Sequence, residues 1–289
     1  MIFLFLSIFF STILLVYFKF FEKYRVNLLQ AIVFNYITAS VTGFLMSGIT
    51  PEPQKWLASP WFFYAALIGL IFIVLFFILG VSSQKAGITI TSVANKMSLV
   101  IPVTIAFILY NEPVTAYKIA GIALALAGIW FTSQKSGASL LTDKRSLLLP
   151  LLIFAGSGIS DALINHVNKN FSLMVTPEYF TAVLFTSSAF FGIIFLSFDL
   201  LNRKNKLQLK NILWGIALGV PNYFSIHFLF LALKESPWDS SVVYPLNNMG
   251  IVVLSALFGI AIYKERFSIV NWIGILISIA AIAIISFGQ

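Results

Sequence analysis

The chain has 289 residues, 60% of them hydrophobic and only 10% charged. So few charges cannot cover a soluble domain of this size, and the net charge of +8 is spread over short connections rather than gathered into a nucleic-acid-binding face. There is no cysteine, which excludes disulfides and thiolate metal sites.

Uncharged apolar runs long enough to cross a bilayer as helices recur along the whole chain. They are continuously apolar rather than alternating, which argues against a transmembrane β-barrel. The first predicted span covers residues 2–21. It lacks a basic leader and a small-residue cleavage site, so it reads as a retained helix rather than a signal peptide. The second covers 28–47. Pro51 and Pro53 then break the chain, and Trp56 and Trp61 suit a membrane interface. The third, fourth and fifth spans cover 62–81, 89–110 and 117–133, with Pro102 inside the fourth. A polar linker at 136–146 follows. The second half reads as spans over 147–165, 179–198, 212–233, 242–263 and 271–287, with Pro221 in the eighth and Pro245 in the ninth. The expected architecture is therefore all-α, with ten transmembrane helices and two five-helix units at 1–135 and 147–289.

The two units are related in sequence. Residues 88–133 align without a gap on residues 241–286, and the polar punctuation coincides: Asn95 with Asn248, Tyr110 with Tyr263, Glu112 with Glu265, Gly121 with Gly274. Further back, Gly43 aligns with Gly192 and Gly69 with Gly219. Polar positions repeated at fixed spacing within apolar sequence mark an internal duplication. Five spans per copy is an odd number, so the second copy enters the membrane from the opposite side. Such inverted repeats are typical of secondary transporters, whose substrate site lies between the halves near the bilayer midplane.

Orientation follows from the basic residues. With Lys19 and Lys118, at span ends, counted in the loops they border, loops after odd-numbered spans carry 13 Lys and Arg and those after even-numbered spans carry 4, Lys96 being left out because it lies well within a span. The odd loops are expected in the cytoplasm and both termini outside.

These residues carry a family resemblance. Ten spans in two halves, with Tyr110-Asn-Glu112 and Gly121 in one and Tyr263-Lys-Glu265 and Gly274 in the other, resemble the EamA-like branch of the drug/metabolite transporter superfamily. The resemblance covers nearly the whole chain and implies a carrier fold. It names no cargo, since members move amino acids, sugars, nucleotide sugars and drugs. Many EamA-like members keep their termini in the cytoplasm, unlike the orientation expected here, and the basic stretch from Lys19 to Arg25 is more similar to the rhamnose–proton symporter group.

Ionisable residues inside the predicted spans are few, and each is expensive there unless it faces a cavity or a partner. Lys96 either snorkels to the surface or lines a cavity. Asp161, five residues from the expected end of the sixth span, is either a rim residue or a carrier of a proton, a cation or a substrate amine. His227 is either a structural hydrogen-bonding group or a proton-coupling one. Their counterparts in the other half, Met249, Thr12 and Phe77, are uncharged. Residues present in one half only are the better cargo candidates, because symmetric ones tend to serve the fold. Asn95, Asn222, Tyr244, Asn247 and Asn248 add donors and acceptors for an uncharged cargo, or bonds between helices. Glu112, Glu265, Gly121 and Gly274 read as structural, the carboxylates capping helices or pairing with Lys264 and Arg266 beside the second. Gly215 and Gly219 form a face for close packing. On these depths Asp161, His227, Tyr244 and Asn248 share the outer third of the membrane, and Lys96 lies in the inner third.

The sequence contains no Walker loop, dinucleotide fingerprint or metalloprotease motif, so no ATP-driven pump and no resident cofactor or metal is expected. The reading is a multi-pass secondary transporter of the cytoplasmic (inner) membrane, not an enzyme. Its partners are a small polar metabolite and the lipid bilayer; oligomeric state is not legible. Proton coupling stays open beside a facilitative or exchange carrier or an exporter without ion coupling. An intramembrane enzyme using Asp161 and His227 is a distant alternative, which the duplication disfavours.

Overall fold

The computed structural model describes residues 1–85, 94–132, 148–203, 206–263 and 268–287. Glu265 and the linker at 136–146 lie outside them. The described chain is helical: α1 (Ile2–Lys23), α2 (Leu28–Ser47), α3 (Pro53–Leu57), α4 (Pro60–Lys85), α5 (Val100–Leu109), α6 (Ala116–Thr132), α7 (Leu148–Phe171), α8 (Pro177–Arg203), α9 (Leu209–Glu235), α10 (Ser240–Tyr263) and α11 (Ile269–Phe287). All but the five-residue α3 correspond to the ten expected spans. Residues 94–97 add a helical turn before α5. Among them α2, α4, α7, α8 and α9 are each long and apolar enough to cross a bilayer.

Local chemistry sets several ends. Asn27 caps α2 by accepting the Gln30 N–H at 3.2 Å, and Gly48 closes it in the left-handed conformation with φ +64°. Pro53 opens α3, where a missing N–H costs nothing. That short helix tucks in Trp56, whose Nε1–H donates to the Tyr179 hydroxyl at 2.7 Å.

Nearly all extensive packing crosses between the halves, and it comes in related pairs. α1 packs on α9 as α7 packs on α4, α2 on α9 as α8 on α4, and α1 on α10 as α7 on α5. Three helices pack on their own counterparts: α2 on α8, α5 on α10 and α6 on α11. This is the contact pattern of an inverted repeat whose pseudo-two-fold axis passes through those three pairs. The aligned glycines occupy equivalent places in it. A Cβ on Gly69 of α4 would stand 2.7 Å from the Ser187 Cβ of α8, and one on Gly219 of α9 would stand 2.5 Å from the Thr38 Cβ of α2. One turn from Gly219, a Cβ on Gly215 would meet the Ala31 carbonyl oxygen at 2.4 Å, so the small-residue face of α9 lies against α2.

The apolar interior divides in two. One cluster, with Tyr36, Ile68, Ile164, Phe180 and Phe185, joins α2, α4, α7, α8 and α9. The other, with Leu99, Ile129, Tyr244 and Met249, joins α1, α5, α6, α9, α10 and α11. Outward faces remain apolar, with Leu45, Phe63, Leu201 and Leu276 exposed, as lipid-facing helices require.

Candidate transport site

The described residues hold three polar layers. The first is at the face where α5 and α7 end and α10 begins, the face that also holds residue 2. Glu112, in the connection from α5 to α6, reaches across to the first turn of α10. Its Oε1 accepts from Ser240 Oγ at 2.6 Å and from the Ser240 N–H at 3.3 Å, and its Oε2 accepts from the Ser241 N–H at 3.0 Å. Lys169 of α7 donates to Oε1 at 2.7 Å. Asn165, a turn earlier on α7, donates to Ser240 Oγ at 2.9 Å. A carboxylate at a helix start is favoured by the unpaired amides and by the helix dipole. Burial alone pushes the Glu112 carboxyl up, but the bonds from Lys169, Ser240 and Ser241 outweigh it and hold the group at about 2. Beside this latch Lys118 of α6 pairs with Asp239, and the Tyr110 hydroxyl meets His166 Nδ1 at 2.9 Å.

Glu112 therefore joins Lys169 of α7 to the start of α10, 128 residues away in sequence. Gly121 and Gly274 are buried in α6 and α11, which pack on one another.

The second layer lies one turn deeper. Asp161 precedes Asn165 by four residues, and Tyr244 follows Ser240 by four. The Tyr244 hydroxyl donates to the Asp161 carbonyl at 2.6 Å. From α10, Asn248 Oδ1 accepts a long bond of 3.4 Å from Lys96 Nζ. Lys96 and Asp161 are each other's electrostatic partners. Among the described residues the Asp161 carboxylate receives no hydrogen bond and lies in no ion pair within 4 Å. Asn247 is buried, and its Oδ1 has no partner among the described residues. Asn95 is half-buried, and its carbonyl accepts Ser98 Oγ at 2.6 Å.

Two expectations are corrected here. Asp161 is not five residues from its helix end but ten, because α7 runs on to Phe171. That is roughly 15 Å of helix, close to its middle. The extension beyond residue 165 carries Lys169 and Asn170, both polar, and each has a partner: Glu112 and the His166 carbonyl. Paired polar groups can stay helical inside a bundle although hydropathy alone ends the span before them. Likewise Lys96 is not isolated in the opposite third of the membrane. It meets Asn248 and has Asp161 as its electrostatic partner, so the turn before α5 in one half and α7 and α10 of the other bring a cation, a carboxylate and amides into one layer.

His227 does not join that layer. Its Nε2 is 3.8 Å from Oε1 of Glu178 in the first turn of α8, and its ring stacks on Tyr223 with centroids 5.3 Å apart. Asn222, one turn away, donates to Asn35 Oδ1 of α2 at 3.1 Å. Sequence reading missed Glu178, which sits at a helix start and reads as a loop residue.

The third layer closes the opposite face. Gln30 of α2 donates to the Lys206 carbonyl at 3.0 Å and accepts from Asn211 Nδ2 at 2.8 Å, while the Asn27 N–H donates to Asn211 Oδ1 at 3.0 Å. It stitches the starts of α2 and α9 together. No group of three His, Cys, Asp or Glu stands together among the described residues.

A polytopic helical membrane protein with two inverted five-helix repeats and a polar layer between them has the architecture of a carrier. The chain belongs to the EamA-like transporter family, whose model matches residues 1–134 and again 148–287. It is 30% identical over 272 residues to a protein of Haemophilus influenzae described only as uncharacterized, covering 90% of this chain and 89% of that one. It also superposes on a crystal structure titled only as that of a protein, with a TM-score of 0.78 over 99% of this chain and 96% of the other, at 17% identity. That likeness concerns the fold.

Proposed function

We propose that the protein is a secondary carrier of a small polar metabolite in the cytoplasmic membrane, and that the layer of Lys96, Asp161, Tyr244, Asn247 and Asn248 binds the cargo. One observation carries this reading. A carboxylate at mid-helix of α7 has an ammonium from the opposite half as its electrostatic partner, and the carboxylate oxygens have no hydrogen-bond partner among the described residues. Such groups are costly in a membrane protein unless something exchangeable engages them. A cargo with its own donors and acceptors, and with charges opposite to Asp161 and Lys96, satisfies both.

Alternating access then requires the layer to open to one face at a time. The Glu112 latch lies one turn from the layer and closes the α5–α7–α10 side of the face holding residue 2. Because the halves interdigitate, rocking one half rigidly against the other would break most of the helix packing. The motion that fits this packing is a local one, parting α5 and α10 from α7 at the latch.

The reading is tested by a thermal-shift screen of the purified protein against metabolites, since a ligand of the native state raises its melting temperature. The hit is then assayed for saturable uptake or efflux in proteoliposomes. A hit that binds but never crosses the bilayer would overturn the carrier assignment. The Lys and Arg bias further supports both termini outside. A reporter active only in the cytoplasm, fused after Gln289, should stay silent, and a bright signal would reverse the orientation.

A further inference from the structure

We propose that Glu178 and His227 form a proton-binding site of this carrier, separate from the Lys96–Asp161 layer. The proposal rests on the carrier reading for its purpose, but not for its geometry.

His227 is buried, 5% exposed, in the second half of α9, eight residues before its end at Glu235. Neither ring nitrogen makes a hydrogen bond among the described residues. Nδ1 has no partner among the described residues, and Nε2 is 3.8 Å from the Glu178 carboxylate, inside ion-pair range but too long for a hydrogen bond. A buried neutral imidazole normally has at least one nitrogen bonded, so this one is held in an unsatisfied position. The Tyr223 hydroxyl, on a fully buried side chain, also lacks a partner among the described residues, and it feels the Glu178 charge. Glu178 itself is partly exposed, 27% at its side chain, so the pair has a route to water.

This arrangement suits a proton better than a metal ion. One carboxylate and one phenol are too few oxygens for a hard cation, whereas one proton completes what is missing. Adding H⁺ to the free lone pair of His227 gives an imidazolium with an N–H on both nitrogens. It then attracts the Glu178 carboxylate, and closing the gap from 3.8 Å to hydrogen-bond length draws the first turn of α8 onto α9. Losing the proton restores the neutral ring and releases the contact. The bond formed is N–H and the proton returns to water, so no other reactant is needed.

Neighbouring titratable groups are engaged elsewhere. Asp161 of α7 faces Lys96, and Tyr244 of α10 donates to the Asp161 carbonyl. His166 and Lys169 of α7 meet Tyr110 and Glu112. On α8, Tyr179 accepts from Trp56. From α2, Asn35 faces Asn222 on α9, and the Tyr36 hydroxyl has no partner among the described residues. α1 presents Phe10 to Phe224 and Phe228 beside His227. Glu178 is thus the one charged group acting on His227 among the described residues.

The chain has two histidines, so histidine-labelled protein in detergent gives two imidazole signals by NMR, and a His166→Asn background leaves one. The His227 signal should report both protonated and neutral forms between pH 5 and 8. Glu178→Gln should cut the protonated fraction at pH 6 at least about threefold, since an opposite charge within a few ångström favours the charged form. Asp161→Asn should leave that fraction nearly unchanged. A His227 that stays neutral throughout, an unchanged fraction in Glu178→Gln, or an equal response to Asp161→Asn would each overturn the proposal. No cargo enters this measurement, so its failure is distinct from failure of the carrier reading.

Discussion

Two carboxylates one turn apart in depth have opposite circumstances. Glu112 has both oxygens filled: Lys169, Ser240 and the Ser241 amide occupy it completely. Asp161 has a cation facing it and no hydrogen bond to its carboxylate among the described residues. The protein spends its fixed donors on the first and leaves the second with unused capacity. A saturated carboxylate gains nothing from a ligand and loses much when any partner is removed, which is the behaviour of a structural latch. An unsaturated one beside an ammonium gains from a ligand, which is the behaviour of a site. The difference also separates the two kinds of symmetry, since Glu112 has a sequence counterpart in Glu265 and Asp161 has none.

The largest expected effect would break this comparison at its open end. Lys96 and Asp161 are both half-buried, and Lys96→Ala and Asp161→Asn should each weaken the metabolite found by screening by roughly 30-fold, because removing one charge that a bound ligand engages costs about 2 kcal/mol. Melting temperatures should stay within a few degrees of wild type, measured without metabolite. Large destabilisation with unchanged affinity would make this layer structural, like the latch.

Next comes the latch. Glu112→Ala leaves the first turn of α10 uncapped and Lys169 without its partner, and should cost roughly 3 kcal/mol. The protein melts at lower temperature, while affinity per folded molecule is kept. Glu112→Gln keeps an acceptor for the Ser240 hydroxyl and should cost less. Normal stability with abolished binding in both variants would move Glu112 from latch to site.

The same group gives a pH signature. Its carboxyl is held at about 2 against an ordinary 4.5. A depressed carboxylate contributes stability that is fully present above the ordinary value and is lost as pH falls through the folded one. The melting temperature of wild type should therefore fall between about pH 4.5 and 2 by an amount worth on the order of 2–3 kcal/mol. In Glu112→Gln that part of the decline should be missing. Parallel acid profiles would show that the latch is not what acid removes.

Legibility in the sequence followed how local each feature is. Ten spans, the duplication and the packing face of Gly215 and Gly219 rest on runs and spacings, and they read directly. Helix ends read less well wherever polar residues have distant partners, as Asn165 and Lys169 do on α7 and as Gln208 does just before α9. The Lys96–Asp161 meeting was illegible because it depends on how α5 and α7 of different halves pack, and no spacing within either helix encodes it. Glu178 was passed over for the same reason: its partner His227 is 49 positions on, across a helix contact.

The smallest effect tests the symmetry on which the comparison rests. Gly69 and Gly219 lie in equivalent contacts, α4 on α8 and α9 on α2, and a Cβ at either stands closer than 3 Å to its neighbour. Ala at either position forces two helices apart, which costs typically 1–3 kcal/mol in a tight interface. The backbone is part of each clash, Ser188 N at 2.8 Å for Gly69 and Asn35 O at 2.7 Å for Gly219, so a rotamer change cannot relieve it. The two variants should therefore lose similar stability, within about 1 kcal/mol. Gly48→Ala is the control: nothing lies within 4 Å of its Cβ, and only its φ of +64° opposes the change. It should cost about 1 kcal/mol and leave α2 packed. If Gly69→Ala and Gly219→Ala differ by several kcal/mol in thermal unfolding, the two contacts are not equivalent. The pseudo-two-fold relation would then describe the chain trace but not the energetics that hold α2 and α4 in place.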